Sequence, residues 1–148
     1  MANKKHKPKA RQPSSSKGGN VKATPLKNEE GAMIFSFKHL QLEHPKGKFC
    51  IKAKDGDYIF KVLSRLKDVS QQKASDLRQS GGKSLRAHTI DWSSTSEKDG
   101  FSHLNEQLQS VTPYQFQFSA NEYGRIHGFF IENVFYAVWL DPGHELYP

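Results

Sequence analysis

The sequence contains one cysteine, Cys50, among 148 residues. A single cysteine excludes an internal disulfide framework and any zinc site built from several cysteines, and it fits a reducing compartment. Long hydrophobic runs are also missing: the longest has seven residues, 134–140, whereas a membrane-spanning helix needs about 20. No apolar segment follows the basic N-terminus, so a secretory signal is not expected. We therefore expect a cytoplasmic protein with no membrane partner.

Residues 1–28 have neither acidic nor aromatic side chains, although the chain holds 15 Asp and Glu, 10 Phe, 5 Tyr and 2 Trp. Their basic side chains account for the net charge of +7, since the remainder is near neutral. Such a segment cannot bury enough apolar surface to offset its ordering entropy. Residues 1–30 are predicted to be a disordered basic arm, and 31–148 one domain. The arm either binds polyanions such as RNA, DNA or ribosomes, or only keeps the protein soluble. Its candidate nucleic-acid contacts are Lys4, Lys5, Lys7, Lys9 and Arg11.

Apolar spacing predicts the helices. Four residues recur at i, i+3, i+4 and i+7 and so share one helical face: Ile59, Val62, Leu63 and Leu66. Asp55 can cap the start of this helix. Weaker patterns predict two shorter helices at residues 70–79 and 99–110, the first of them with Ala74 and Leu77 directed inward.

Extended segments are predicted at residues 32–42, 49–51, 84–92, 114–118, 123–131 and 134–140. Alternation is strict in residues 114–118, so the aromatic side chains share one face and the glutamines the other. The last two strands are joined by a tight hairpin at Glu132-Asn133. This order predicts an α+β fold in which an antiparallel sheet carries two or three helices on one face.

Arg125 and His127 lie two positions apart on a strand, so both side chains leave the same face. The hairpin register decides their neighbours on the last strand. A two-residue loop would place them beside apolar residues, where a charge is costly, and a three-residue loop would place them near Asp141 and Trp139. We prefer the second register because it also gathers apolar side chains on the opposite face.

The chain after the last strand can add to this site. The Pro142-Gly143 turn can redirect His144, Glu145 and Tyr147 towards Arg125. A guanidinium holds phosphate oxygens bidentately, and an imidazole can exchange protons with a 2′-hydroxyl or a leaving 5′-oxygen. The spacing of histidine and cysteine supports no metal site, and no metal or cofactor is predicted.

Structural alternatives exist for each of these residues. Arg125 could form a surface ion pair with Asp141, His127 could be a hydrogen-bonded core histidine, and His144 could be tied to a backbone carbonyl. A basic strand edge near the site is a further candidate for nucleic-acid binding, with a solvated face as its alternative: Lys83, Arg86 and His88.

The last third of the chain resembles the RelE/ParE superfamily of toxin–antitoxin toxins. The resemblance rests on Tyr-Gln-Phe-Gln-Phe-Ser at 114–119, on Gly124-Arg125-Ile126, and on His144 followed by Tyr147. It implies a RelE-like fold and, as in many members, an endoribonuclease that cuts messenger RNA, often on the ribosome. Arg125 would contact the scissile phosphate, His144 would be the general acid and Tyr147 would stack on or orient a base. The chain departs from the family at Gln115 and Gln117, where many ribosome-dependent members carry lysines.

The leading hypothesis is a metal-independent endoribonuclease toxin with RNA on the sheet face opposite the helices and His127 or Glu145 as the base. A cognate antitoxin should then cover the site. The alternative is a non-enzymatic nucleic-acid or ribosome-binding accessory protein whose aromatic sheet stacks bases. A third possibility is a partner-binding domain with exposed aromatic side chains.

Overall fold

The computed structural model describes residues 30–80, 85–118 and 123–148. Nearly all of the predicted basic arm therefore lies outside the described residues. The fold is α+β, as predicted. None of the described helices is both long and apolar enough to cross a membrane. The elements follow in the order β1 (Ile34–Ser36), α1 (Gly56–Ser70), α2 (Ala74–Ser80), β2 (His88–Thr89), a 3-10 turn (Trp92–Ser94), α3 (Glu106–Gln109), β3 (Pro113–Gln117), β4 (Arg125–Ile131) and β5 (Val134–Asp141).

The five strands form one mixed sheet in the order β1-β5-β4-β3-β2. The pairs β2–β3, β3–β4 and β4–β5 are antiparallel, whereas β1 runs parallel to β5. The prediction of a purely antiparallel sheet was therefore wrong for the edge strand. The connection from β1 to the next strand of the sheet contains α1 and α2, and parallel pairing requires a long connection of this kind.

Helix α1 begins where the sequence predicts, because the Asp55 carboxylate accepts the Tyr58 backbone N–H at 3.0 Å. Its buried face differs from the prediction. Val62 and Leu66 are buried, but Ile59 is 40 % and Leu63 59 % exposed. Tyr58, four residues before Val62, takes the position on the buried face that the apolar spacing had assigned to Ile59.

Several predicted elements are shorter or absent. β1 has three residues, α3 has four, and residues 49–51 form no strand. Phe49 has a φ of 56°, a left-handed conformation that interrupts extended backbone. Phe101 is buried without a helix because its ring packs against those of Trp92 and Trp139, at centroid distances of 4.9 and 4.8 Å.

Both faces of the sheet are covered, so the expectation of an open face for RNA was wrong. On the first face, α1 and α2 pack against the β3 aromatic residues. On the second face, loop residues and the C-terminal segment cover Phe129 and Trp139, and Leu108 of α3 packs there as well. The helices therefore lie on both faces rather than one. The residues that cover the second face are Phe49, Ile90, Phe101 and Leu146.

The β4–β5 hairpin combines features of both registers. Its loop has two residues, since Ile131 pairs with Val134, but a bulge follows between His127 and Gly128. Beyond the bulge the register shifts by one residue, so that Arg125 pairs with Asp141. The predicted neighbours of Arg125 are thus confirmed, whereas the predicted three-residue loop was wrong.

Candidate functional site

Polar side chains cross one end of the second sheet face in two rows. His88, Gln115 and His127 are cross-strand neighbours on β2, β3 and β4. The next row comprises Gln117, Arg125 and Asp141 on β3, β4 and β5. Cross-strand neighbours point to the same face, so the six side chains form one cluster. Burying so many polar groups is costly unless each finds a partner. Four of them are at most 2 % exposed: Gln115, Gln117, His127 and Asp141.

Asp141 is the centre of this cluster. Its Oδ2 lies 3.1 Å from His127 Nε2 and accepts the backbone N–H of Leu146, also at 3.1 Å. Its Oδ1 accepts the backbone N–H of Glu145 at 2.8 Å. Burial alone would raise the pKa of Asp141, but these three donors outweigh it and hold the pKa below its ordinary value. An ionised carboxylate therefore folds the C-terminal turn back onto the sheet.

His127 has no accessible surface. Burial lowers its pKa despite the nearby carboxylate, so the ring is neutral and its Nε2–H donates to Asp141. Its Nδ1 is buried without a hydrogen-bond partner among the described residues. A side chain sealed in this way does not meet RNA. The structure matches the alternative of a hydrogen-bonded core histidine, and we withdraw His127 as a candidate base.

Arg125 is partly exposed and lies opposite Asp141, yet no ion pair joins these two residues. Its Nε is buried and lacks a hydrogen-bond partner among the described residues. The backbone before it approaches the end of β5 closely: a Cβ on Gly124, whose φ is 74°, would lie 1.9 Å from the Asp141 carbonyl oxygen. Glycine at this position therefore permits β4 to begin against the turn that follows β5.

His144 stands in that turn, partly exposed, with a φ of 56°. Left-handed backbone is uncommon for a non-glycine residue and costs about 1–3 kcal/mol unless its surroundings impose it. Here the two following N–H groups, those of Glu145 and Leu146, are held by Asp141. The cluster thus determines the backbone conformation at His144.

Glu145 and Tyr147 lie beside the same cluster. Glu145 is exposed, and its Oε2 accepts the Phe49 backbone N–H at 2.9 Å. Tyr147 is partly buried, with its ring centroid 6.2 Å from that of His88. The C-terminal residues that the sequence singled out are therefore brought to one end of the sheet.

The predicted basic edge is only partly described. Arg86 and His88 are exposed, whereas Lys83 and the lysines and arginine of the arm lie outside the described residues. His88 is fixed by two contacts of 2.7 Å, one from Nδ1 to the Thr89 carbonyl and one from Nε2 to the Gln115 side-chain nitrogen. These contacts make Nδ1 the donor and Nε2 the acceptor in the neutral ring.

Sequence reasoning missed the role of the two glutamines. It treated Gln115 and Gln117 as a loss of positive charge, but both are buried in the polar cluster with Arg125 and His127. The strict alternation of residues 114–118 already placed them on the face opposite the aromatic side chains. The available signal was therefore their shared face, not their charge.

A second polar cluster was not predicted. The buried carboxylate of Glu97 accepts from Lys48 at 2.7 Å and from Lys46 at 2.9 Å, and His44 lies 3.9 Å away. Burial would raise the pKa of Glu97, but the two lysines outweigh it and lower the pKa. Because these partners are 51 and 49 positions away in sequence, no local pattern indicates the cluster.

In the described ranges, no three His, Cys, Asp or Glu side chains come together as a metal site would require. Comparison with known proteins finds no relative: no protein-family model, curated protein or solved structure matches the chain.

The buried histidine makes stability depend on pH. Because the pKa of His127 is lower in the folded state, the unfolded chain binds more protons as the pH falls below about 6.5, and stability is lost there. Each pH unit costs about 1.4 kcal/mol until the folded pKa is reached. Between pH 7.5 and 5.0, we expect the free energy of unfolding, measured with urea, to decrease less for His127→Gln than for wild type. An equal decrease of the free energy of unfolding for wild type and His127→Gln would contradict the prediction.

Proposed function

We propose that the protein is a metal-independent endoribonuclease of the toxin type, with its site where β4 begins and β5 ends. The proposal is supported by the turn that Asp141 holds: Asp141 pairs with Arg125 and accepts the two N–H groups that follow His144, so His144 lies three residues beyond the strand position opposite Arg125. Paired Cα atoms lie about 5 Å apart and three residues span at most about 11 Å, so the Cα atoms of Arg125 and His144 are within about 16 Å. A phosphate between them is within reach of both side chains.

Arg125 would hold the scissile phosphate. Arg125 is partly exposed as a residue, and Asp141, its cross-strand neighbour on β5, is occupied by His127 and two backbone N–H groups. The arginine charge therefore remains available for an anion. Developing negative charge on phosphate oxygens is stabilised by such a fixed cation.

His144 and Glu145 would move the protons. The 2′-hydroxyl oxygen of the RNA attacks phosphorus and loses its proton to the Glu145 carboxylate. The bond from phosphorus to the 5′-oxygen breaks, and that oxygen takes a proton from His144, which leaves a 2′,3′-cyclic phosphate and a 5′-hydroxyl. Both residues are at least partly exposed, unlike His127. Tyr147, also partly exposed, would stack on or orient a neighbouring base.

Two partners follow from this proposal. The eight lysines and arginines of residues 1–28 would add salt-dependent affinity for RNA or the ribosome. A cognate antitoxin protein would cover the site in the host cell, because an unchecked ribonuclease would arrest its growth.

Cleavage of a labelled single-stranded RNA by purified protein tests the proposal. We expect His144→Ala to lower the cleavage rate about 10²–10⁴-fold, as removal of a general acid does. Arg125→Ala should cost about 10²-fold or more. His103→Ala, which removes an exposed histidine outside the cluster, should cleave like wild type. When expression is induced in cells, the variants that cleave RNA more slowly should also arrest growth less. Equal toxicity of wild type and His144→Ala would reject His144 as catalytic.

Deletion of residues 1–28 separates the enzyme from the non-enzymatic accessory protein. An enzyme should keep cleaving RNA with reduced efficiency, because its site lies outside the arm. A binder should lose most of its salt-dependent RNA affinity and show no cleavage before or after the deletion. The decisive measurements are the cleavage rate and the slope of affinity against salt concentration.

A further inference from the structure

A cavity of about 510 Å³ opens on the second sheet face, away from Arg125. A volume in this range suits a ligand of the size of a nucleotide. The cavity lies between the segment that follows β1, helix α3 and β5. Six of its lining residues matter here: Lys38, His39, Asn105, Gln107, Leu108 and Tyr136.

Aromatic rings form one wall of the cavity. The rings of Tyr136 and Phe129 are stacked, with centroids 5.3 Å apart and planes inclined by 11°. The His39 ring lies 5.7 Å from that of Tyr136. Both His39 and Tyr136 are partly exposed and line the cavity. Stacking on such a surface suits any nucleobase.

Polar groups surround this wall. Lys38, Asn105 and Gln107 are exposed at the cavity. Asn105 Oδ1 accepts the Leu108 backbone N–H at 2.9 Å, which orients the side chain and leaves its amide N–H groups as donors. An ammonium group can contact a phosphate, and two side-chain amides can form hydrogen bonds with a base edge.

The cavity shares a sheet face with the proposed cleavage site. Tyr136 and Asp141 are both on β5, five residues apart, which corresponds to about 17 Å along the strand. Arg125 pairs with Asp141 at one end, and Phe129 pairs with Tyr136 towards the other. Loop residues cover the face between them, and the distance is short enough for one RNA strand of a few nucleotides to pass over these loops and reach both places.

We infer that this cavity is a subsite for one unpaired base of a single-stranded RNA whose scissile phosphate is bound at Arg125. The inference rests on the proposed function and adds a residue-level basis for sequence preference. Tyr136 provides stacking, Lys38 contacts a phosphate, and Asn105 and Gln107 read the base edge.

RNA binding measured in the His144→Ala background, where the RNA stays intact, tests the subsite. The probe is a fluorescein-labelled 12-nucleotide single-stranded RNA, followed by anisotropy. We expect Tyr136→Leu to weaken binding about tenfold, since each stacked base contributes about 5- to 150-fold. Phe60→Leu, which changes an exposed aromatic residue of α1 on the other side of the sheet, should bind like the background protein.

Abasic substitutions in the RNA locate the base. One abasic position should lower the affinity of the background protein and have no further effect on Tyr136→Leu. If Tyr136→Leu does not fold, Gln107→Ala, which changes an exposed side chain, should weaken binding and alter the preferred base at that same position. Folded variants that bind like the background protein would overturn the subsite, although RNA cleavage by wild type would still support the endoribonuclease. Cleavage that is absent while the abasic effect persists would overturn only the catalytic proposal.

Discussion

Replacing Asp141 with Asn is expected to lower the free energy of unfolding by about 3 kcal/mol or more, because a hydrogen bond to an ionised group contributes about 1.5–3 kcal/mol. Asp141 is 1 % exposed, and both of its oxygens accept hydrogen bonds. An asparagine has one acceptor oxygen, so its NH2 group would face a donor N–H from Glu145, Leu146 or His127. A buried donor left without an acceptor adds about 1–3 kcal/mol.

Urea unfolding at pH 7.5 measures this loss. Asp68→Asn is the matched control, because Asp68 is exposed near the end of α1, and it should change stability by less than about 0.5 kcal/mol. Under the proposed function, Asp141→Asn should also reduce RNA cleavage in the fraction that remains folded, because the turn carrying His144 is no longer held. Stability similar to that of the control would show that the Asp141 hydrogen bonds contribute little.

Replacing Gly128 with Ala is expected to destabilise the protein by about 3 kcal/mol or more, at the upper end of the cost of overpacking a core. A Cβ at this position would lie 2.0 Å from the Tyr136 carbonyl oxygen and 2.9 Å from the Phe135 ring. Backbone of the neighbouring strand cannot move aside as a flexible side chain can. Because the bulge lies between His127 and Gly128, relief of the clash would also disturb the pairing of Arg125 with Asp141.

Gly56→Ala is the control, because its expected effect on stability is opposite to that of Gly128→Ala. A Cβ there meets nothing within 4 Å at the start of α1, so alanine should stabilise the protein by about 0.5–1 kcal/mol. The midpoints of thermal or urea unfolding should shift in opposite directions for the two variants. An unaltered midpoint for Gly128→Ala would mean that β4 and β5 can separate at the bulge without loss.

Local patterns predicted α1 and the C-terminal hairpin because those signals are contained in short stretches of sequence. Asp55 caps the helix through a contact three residues away, and the hairpin turns at Glu132-Asn133 as predicted, although its loop has two residues rather than three. The buried face of α1 was not predictable in the same way. Val62 belongs to both candidate faces, and only the packing of the sheet against Tyr58 decides between them.

The candidate site was predicted in position but not in environment. Arg125 and Asp141 pair as expected, yet through a bulge that depends on a close contact between Gly128 and the backbone of Tyr136. Burial of His127 depends on loop residues such as Phe49, far away in sequence, which cover the second face. Apolar periodicity describes strands and helices and contains no information on which loops fold over them.

The parallel pairing of β1 with β5 affects how the chain acquires its structure during synthesis. Ile34 pairs with Val134, one hundred positions later. A translating ribosome therefore releases the first strand long before its neighbour exists, and the sheet cannot be completed until the last hairpin has emerged. Contacts so distant in sequence slow folding, because the closure entropy must be overcome before any pairing is gained. We expect the edge strand to join last and the nascent protein to remain without its complete sheet until then.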